Sequence, residues 1–187
     1  QEEGCLLLYR SEDAIHWTFE GQVETDLAQF GYMWECPDYF RVDEHDIIMF
    51  CPQGIEAEGA HFKNIYQSGY LMGQFDIENQ VMQHGDFTEL DAGFDFYAPQ
   101  TFEGKAGQRI LIGWMGLPDT QYPTDEEGWA HCLTLPRELS VENGILKQRP
   151  IQALQHLRTN EETALGYANK FQRQLHPYEG KQYEMLI

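Results

Sequence analysis

The chain has 187 residues, 42% of them hydrophobic, and carries a formal net charge of −19 from 31 acidic and 12 basic side chains. That length suits one domain or slightly more, and the apolar fraction is sufficient for a core. No apolar run approaches the roughly 20 residues that span a bilayer. The negative charge repels phosphate groups, so we expect neither nucleic-acid binding nor an anionic membrane surface as a partner. A neutral or polyhydroxylic ligand suits the charge better.

The cysteines and histidines lack the spacing of a metal site. None of the four cysteines forms a C-x-x-C pair, and the seven histidines contain no H-E-x-x-H motif. We therefore predict no metal and no cofactor. The wide spacing of Cys5, Cys36, Cys51 and Cys132 favours free buried thiols in a reducing compartment, so we expect a cytoplasmic protein. The acidic start lacks the basic region of a secretory signal, and the absence of an initial Met suggests a fragment or a processed form.

Short β-rich segments bounded by turn residues follow one another along most of the chain. In order, they lie at 5–9, 16–23, 39–42, 46–51, 66–75, 87–90, 93–102, 109–116, 132–135, 139–141 and 145–148. Asn143-Gly144 is a strong signal for a two-residue hairpin turn. No long helical period interrupts the strands, which predicts an all-β sandwich, barrel or propeller. The strands from 38 to 90 and from 96 to 148 form two groups of about 50 residues each, the size of a propeller blade.

The carboxyl-terminal part of the sequence differs in character. Residues 151–158 are expected to form a short helix or a connecting turn, and 159–166 resemble a polar linker. Residues 182–187 begin a new β-like segment. We therefore predict one β domain over residues 1–157, followed at 158–187 by a linker and the first strand of a second, truncated domain.

The segment at 34–40, W-E-C-P-D-Y-F, is the strongest candidate for a functional site. Glu35 lies between an indole and a thiol, and Pro37 fixes the backbone two residues later. A carboxyl group buried beside apolar groups can act as a proton donor near neutral pH. The alternative is that Glu35 is one of many solvated surface carboxylates, and Asp38 suits a cap or a solvated position.

Four segments together resemble glycoside hydrolase family 32, the invertases, fructanases and sucrose-6-phosphate hydrolases. The segment at 34–40 is similar to the family's E-C-P-D motif, and the one at 95–102, D-F-Y-A-P-Q-T-F, to its D-F-Y-A-x-x-x-F segment. Residues 112–116 resemble its G-W-M-G strand, and 129–139 its closing L-P-R-E-L segment. The segments occur in the family's order, and the resemblance covers residues 4–157.

The resemblance implies a partial five-bladed β-propeller followed by the start of a β-sandwich, and a retaining mechanism with two carboxylates. It makes Glu35 the general acid/base, with Cys36 beside it setting its polarity. Asp95 would hydrogen-bond the fructosyl hydroxyls, and Trp114 and Tyr97 would wall the sugar subsite. Taken alone, Asp95 also suits a turn cap, Trp114 a core position and Cys36 a packing role.

Two motifs of the family do not occur in this sequence. The nucleophile of the family lies in W-M-N-D-P-N-G, and a second carboxylate lies in R-D-P. A retaining glycosidase needs its nucleophile roughly 5 Å from the acid, so we expect the 187-residue chain alone not to hydrolyse sucrose. Incomplete blades would leave sheet edges uncovered, and we expect the isolated chain to self-associate through them.

The function implied is therefore part of a β-fructofuranosidase. Sucrose-6-phosphate hydrolase is the preferred subtype, and an invertase or a fructan-cleaving enzyme is a close alternative. A non-catalytic carbohydrate-binding β module, whose aromatic side chains stack on sugars, stays open as a second interpretation. A third is another propeller glycosidase that acts on furanosides.

Overall fold

The computed structural model describes residues 3–159 and Glu184. These residues form strands, two short 3-10 helices and connecting turns, and none of their helices is long and apolar enough to cross a membrane. The strands are β1 (Leu7–Arg10), β2 (Thr18–Gln22), β3 (Met33–Val42), β4 (His45–Gln53), β5 (Gly69–Asp76), β6 (Val81–His84), β7 (Thr88–Glu89), β8 (Tyr97–Glu103), β9 (Arg109–Met115), β10 (Cys132–Leu133), β11 (Arg137–Glu142) and β12 (Ile145–Pro150). The all-β class predicted from the sequence is confirmed.

The chain divides into two compact units, Gln1–Ile151 and Gln152–Ile187. The second unit begins with a 3-10 helix at Gln152–Leu157, where the sequence predicts a short helix or a turn. Within this unit the Arg158 guanidinium donates two hydrogen bonds, of 2.6 and 2.7 Å, to the Glu184 carboxylate. The predicted linker at 159–166 and the predicted strand at 182–187 lie almost entirely outside the described residues.

The first unit opens with the hairpin of β1 and β2, which are antiparallel. Their connection is a turn built by two polar side chains, Ser11 and Asp13. Ser11 Oγ accepts the Ala14 amide at 2.9 Å, and Asp13 Oδ1 accepts the Ile15 and His16 amides at 2.8 Å each. The amide and side chain of His16 together hold the pKa of Asp13 below its usual range.

The first sheet has the antiparallel order β3-β4-β5-β6, and the short strand β7 pairs with β5 beyond the end of β6. Its central strand β4 is buried on both faces. Ile47 and Met49 enter a core cluster shared with the second sheet, whereas Ile48 and Phe50 enter a cluster with residues of the hairpin region. Burial on both sides explains why β4 is an unbroken apolar run instead of an alternating one.

The second sheet has the order β8-β9-β11-β12, with β10 pairing with β9 beyond the end of β11. The connection between β11 and β12 is the predicted two-residue turn. Asn143 and Gly144 have φ values of 53° and 73°, the left-handed pair that a type I′ hairpin requires. Leu111 and Leu139 of this sheet pack in the core cluster that it shares with the first sheet.

Each sheet begins with a strand that is bulged next to a proline. In β3 the register shifts between Glu35 and Asp38, and in β8 it shifts between Tyr97 and Gln100. The bulge admits Pro37 into a ten-residue strand, so the prediction that this strand starts at residue 39 was too short. Strand β6 is absent from the predicted set.

A polar link joins the two sheets. Asp38 Oδ2 accepts hydrogen bonds from both the backbone amide and the hydroxyl of Thr101, each at 2.7 Å. Arg109 lies 3.6 Å from the other carboxylate oxygen, and its guanidinium stacks over the ring of Phe40 at 4.8 Å. Asp38 is thus a structural residue between the sheets and not a solvated cap.

Candidate active site

Glu35 lies at the bulge of β3, where its side chain is half-buried. Its Oε2 atom accepts two hydrogen bonds of 2.8 Å, one from the Tyr97 hydroxyl and one from the Gln53 side-chain amide. The same amide group donates to the Tyr97 oxygen at 3.2 Å, and Gln53 Oε1 accepts the Tyr32 hydroxyl at 2.9 Å. Each group in this network therefore has its donor matched to an acceptor.

The two oxygens of Glu35 differ in their surroundings. Oε2 receives both donors, while Oε1 has no hydrogen-bond partner among the residues that the structure describes. An oxygen that already accepts two hydrogen bonds is a poor site for a proton, so a protonated Glu35 would carry its hydrogen on Oε1. The arrangement leaves one carboxylate oxygen of Glu35 available for proton exchange.

Tyr97 is a permanent donor to this carboxylate. Its side chain is buried, with 3% exposed. Burial and the neighbouring Glu35 carboxylate raise the pKa of Tyr97 well above its usual value, although the hydrogen bond from Gln53 opposes that shift. The phenol keeps its proton throughout the neutral range and continues to donate to Glu35.

The indole of Trp34 does not flank Glu35, contrary to what the sequence suggested. Successive strand residues point to opposite faces, and Trp34 turns into the cluster beside the hairpin. There it stacks on Phe50 with ring centroids 4.4 Å apart and donates its Nε1 hydrogen to the Phe30 carbonyl at 2.6 Å. The groups that partly enclose Glu35 come instead from Tyr97 and Gln53, far along the chain.

Cys36 lies at the left-handed position of the bulge, with φ of 51°. Its thiol packs against a small buried cluster that contains Cys51, Tyr97 and Leu117. Contact with Cys51 lowers the pKa of Cys36 to about 7, against the opposing effects of burial and of the Glu35 charge. All four cysteines are free, but only Cys51 is fully buried, and Cys132 is exposed, so the prediction of buried thiols holds in part.

An aromatic wall continues from Tyr97 across β9. Tyr97 meets Trp114 edge to face at 6.5 Å, Trp114 packs on His131 at 4.8 Å, and His131 packs on Tyr122 at 4.7 Å. A Cβ atom at Gly116 would lie 2.3 Å from the Trp114 indole nitrogen, so only glycine lets the indole lie across the end of the strand. Trp114 is half-buried, between the core and platform positions considered from the sequence.

Asp95 closes this wall from the loop before β8. Its Oδ2 atom accepts the Tyr122 hydroxyl at 2.6 Å, and that hydroxyl in turn accepts the Leu117 amide at 3.0 Å. Desolvation and the Asp95 hydrogen bond raise the pKa of Tyr122. A series of neighbouring contacts thus connects four of the predicted residues, Glu35, Tyr97, Trp114 and Asp95. The fifth, Cys36, packs against the buried cluster that contains Tyr97.

Three residues of this cluster were missed from the sequence: Gln53, Tyr122 and His131. Gln53 ends β4 directly opposite Met33, near Glu35 in space but 18 positions away in the chain. Tyr122 and His131 flank the 3-10 helix at Pro123–Glu127; Tyr122 lies outside the family segments, whereas His131 lies within the segment at 129–139 but was not singled out there. The aromatic character of Tyr122 is the one signal that favoured it. Among the described residues, no group of three or more His, Cys, Asp or Glu side chains is arranged to hold a metal ion.

Comparison with protein families decides the relationship. The model of the glycosyl hydrolases family 32 N-terminal domain matches residues 1–150, most of the chain. The chain belongs to glycosyl hydrolase family 32. The family resemblance carried by the segments around Glu35, Asp95 and Trp114 is thereby confirmed.

Relatives within family 32 share high identity. A sucrose-6-phosphate hydrolase of Staphylococcus xylosus is 68% identical over 187 residues, which is 100% of this chain and 38% of the relative. One from Bacillus subtilis is 45% identical over 166 residues, covering 85% of this chain and 35% of the relative. The chain therefore spans little more than a third of the length of these family 32 proteins.

Solved structures of family 32 agree with the fold. A Bombyx mori GH32 beta-fructofuranosidase mutant in complex with sucrose is 40% identical, with a TM-score of 0.78 over 83% of this chain and 34% of that one. A sucrose-6-phosphate hydrolase from Lactobacillus gasseri is 35% identical, with a TM-score of 0.74 over 82% of this chain and 32% of that one.

Proposed function

We propose that this chain is the part of a retaining β-fructofuranosidase that carries the general acid/base, Glu35. The observation that carries the proposal is the carboxylate whose Oε2 is held by Tyr97 and Gln53 and whose Oε1 is free to exchange a proton. Glu35 would protonate the leaving glycosidic oxygen and later deprotonate the attacking water. Family membership supports the reaction class.

The substrate we propose is sucrose 6-phosphate, with sucrose as the alternative. The 68% identical relative of Staphylococcus xylosus and the relatives of Bacillus subtilis and Escherichia coli, 45% and 46% identical, bear the name sucrose-6-phosphate hydrolase. Asp95, Trp114 and Tyr97 would form the fructosyl subsite, with the carboxylate accepting hydroxyl hydrogens and the aromatic rings packing on the sugar face. Cys36 would adjust the polarity behind Glu35 by its contact with Cys51.

We propose that the two sheets are consecutive blades of a five-bladed propeller and that residues 1–157 belong to it. Each sheet is an antiparallel meander of four strands with a short fifth strand, its first strand starts at the side of the candidate site, and the two sheets pack through one shared core. A β-sandwich beginning within 158–187 completes this proposal. Free cysteines agree with a reducing cytoplasm as the location.

The decisive experiment replaces Glu35 by Gln in the full-length protein. The amide keeps the shape but cannot deliver a proton, so kcat for sucrose 6-phosphate should fall by about 10³-fold while binding of the sugar is retained. Glu103→Gln, at the far end of β8, is the matched control and should leave kcat unchanged. Full activity in Glu35→Gln would refute the assignment. Sugar binding without any turnover by the unmodified full-length protein would favour a carbohydrate-binding module.

The isolated 187-residue chain should be inactive and should self-associate. No family nucleophile motif occurs in its sequence, so measurable sucrose hydrolysis by this chain would contradict the proposal. The hairpin also exposes large apolar side chains, namely Leu7, Tyr9, Ile15, Trp17 and Phe19. Light scattering at micromolar concentration should detect oligomers, and a clean monomer would count against this expectation.

A further inference from the structure

Two thiols meet directly behind the carboxylate of Glu35. Cys51 on β4 is the strand partner of Glu35, and Cys36 is the next residue of β3. Cys36 packs against the small buried cluster that holds Cys51. Cys36 lies within the bulge of β3, where the register shifts between Glu35 and Asp38, and has a left-handed φ of 51°.

The two thiols are unequal, as a reactive pair requires. Cys36 is half-buried and can be reached from solvent, whereas Cys51 is 0% exposed and lies 3.2 Å from the Ser68 hydroxyl. The contact with Cys51 lowers the pKa of Cys36 to about 7, while the same contact and burial raise the pKa of Cys51 above its usual value. At neutral pH the outer sulfur is partly thiolate and the inner sulfur is a neutral thiol.

We propose that Cys36 and Cys51 form a peroxide-sensitive thiol pair, a modification site for hydroperoxides. The Cys36 thiolate attacks the terminal oxygen of hydrogen peroxide, the O–O bond breaks, and the hydroxide leaves as water after taking a proton. Cys36 is thereby oxidised to a sulfenic acid and the peroxide is reduced. The Cys51 sulfur then attacks the Cys36 sulfur, the S–O bond breaks, and the departing hydroxide takes the Cys51 proton to form a second water.

The resulting disulfide would tie the bulge to β4 beside the acid group. Glu35 depends on the backbone of that bulge to reach Tyr97 and Gln53 at 2.8 Å, so crosslinking the adjacent residue displaces it. This consequence rests on the proposed function, because it is visible only as lost hydrolysis. Formation of the disulfide does not rest on it.

The test uses the 187-residue chain and does not measure activity. Arg41 separates the two thiols, so trypsin places Cys36 on the peptide 11–41 and Cys51 on the peptide 42–63. After brief exposure to hydrogen peroxide, a non-reducing digest should contain these two peptides joined by a disulfide. The free thiol count should fall from four to two, and dithiothreitol should restore it.

Variants separate the steps. Cys132→Ser, which removes the exposed thiol of β10, should still form the linked peptides, whereas Cys36→Ser and Cys51→Ser should not. Cys51→Ser, checked for folding by circular dichroism, keeps a hydroxyl donor beside Cys36 but cannot form the disulfide, so it should leave a sulfenic acid on Cys36 that dimedone traps. Oxidation of Cys132 while Cys36 stays a free thiol, or a link from Cys36 to another cysteine, would overturn the proposal. In the full-length protein, a complete Cys36–Cys51 link with unchanged kcat would overturn the effect on Glu35.

Discussion

The first strands of the two sheets, β3 and β8, both contain a β-bulge next to a proline, but the two bulges present different side chains. In β3 the sequence Glu35-Cys36-Pro37 bulges, and in β8 Tyr97-Ala98-Pro99 bulges in the same way. Cys36 and Ala98 have φ values of 51° and 47°, both left-handed and both before a proline. The residue before each bulge faces the same side, a carboxylate in the first sheet and a phenol in the second.

The difference between the two bulges is what makes a site. Tyr97 at the second bulge donates its hydrogen bond to Glu35 at the first, 62 positions earlier in the chain. A carboxylate in both places would set like charges against each other, and a phenol in both would supply no acid. The same bulge therefore places the proposed acid, Glu35, in one sheet and its hydrogen-bond donor, Tyr97, in the neighbouring sheet.

The residues that follow the two bulges, Asp38 in β3 and Gln100 in β8, also differ in their surroundings. Asp38 is turned inward to Thr101 and Arg109, whereas its counterpart Gln100 is exposed. Replacing Asp38 by Ala leaves the amide and the hydroxyl hydrogen of Thr101 without their acceptor and removes the carboxylate 3.6 Å from Arg109, so it should lower the free energy of unfolding by about 3 kcal/mol. Gln100→Ala, the matched change in the second sheet, should alter it by less than about 0.5 kcal/mol. Urea unfolding of both variants measures the difference, and equal losses would show that Asp38 does not join the sheets.

Tyr97→Phe tests whether the second bulge orients the acid of the first. The change keeps the ring and removes one hydrogen bond to a charged group, so kcat of the full-length protein should fall by about tenfold or more with little change in KM. Tyr39→Phe is the control, because Tyr39 also donates to a carboxylate, Asp46, at 2.8 Å, but on another part of the first sheet. Equal effects of the two variants on kcat would contradict a positioning role for Tyr97.

Cys36 and Ala98 occupy the same position in the two bulges, and only Cys36 carries a thiol. The rate of its alkylation by iodoacetamide measures the reactivity of that thiol. Because contact with Cys51 lowers the pKa of Cys36 to about 7, its thiolate forms as the pH rises through about 7 and not near 8.5. At neutral pH Cys36 should react up to about tenfold faster than an ordinary thiol. Cys36→Ala, which makes the first bulge like the second, should remove this labelling. A rate that rises only above pH 8 would contradict the shifted pKa.

Local sequence was a good guide to strands and turns. The hairpin turn at Asn143-Gly144, the polar turn at Ser11 and Asp13 and most strand positions follow from short-range preferences. Strand β6 escaped because Val81–His84 has one buried side chain and two polar ones, so no apolar pattern marks it. The start of β3 was misplaced because a proline normally argues against a strand, and the bulge that accommodates Pro37 has no local signature.

Only those residues of the candidate site that lie in family motifs could be predicted from the sequence. Glu35, Asp95 and Trp114 lie in recognisable segments, whereas Gln53 and Tyr122 lie outside them and join the cluster through contacts made by the fold. His131 lies in the segment at 129–139, but only its ring contacts with Trp114 and Tyr122 reveal its place in the cluster. The expected Trp34 neighbour was wrong for a simple reason, since adjacent strand residues point to opposite faces. Partners 18 to 62 residues apart cannot be read from the sequence around Glu35.

Strand β4 belongs to two cores at once, because Ile47 and Met49 face the second sheet while Ile48 and Phe50 face the hairpin side. Neither core cluster can unfold without exposing β4 to solvent, so we expect the two sheets and the hairpin to unfold together. The amide hydrogens of β4 should consequently exchange with solvent only when the whole unit unfolds, and their exchange rate would report the stability of the entire assembly of sheets. The strand that ends at Gln53 thus anchors the proposed proton donor, Glu35, to the part of this unit that opens most slowly.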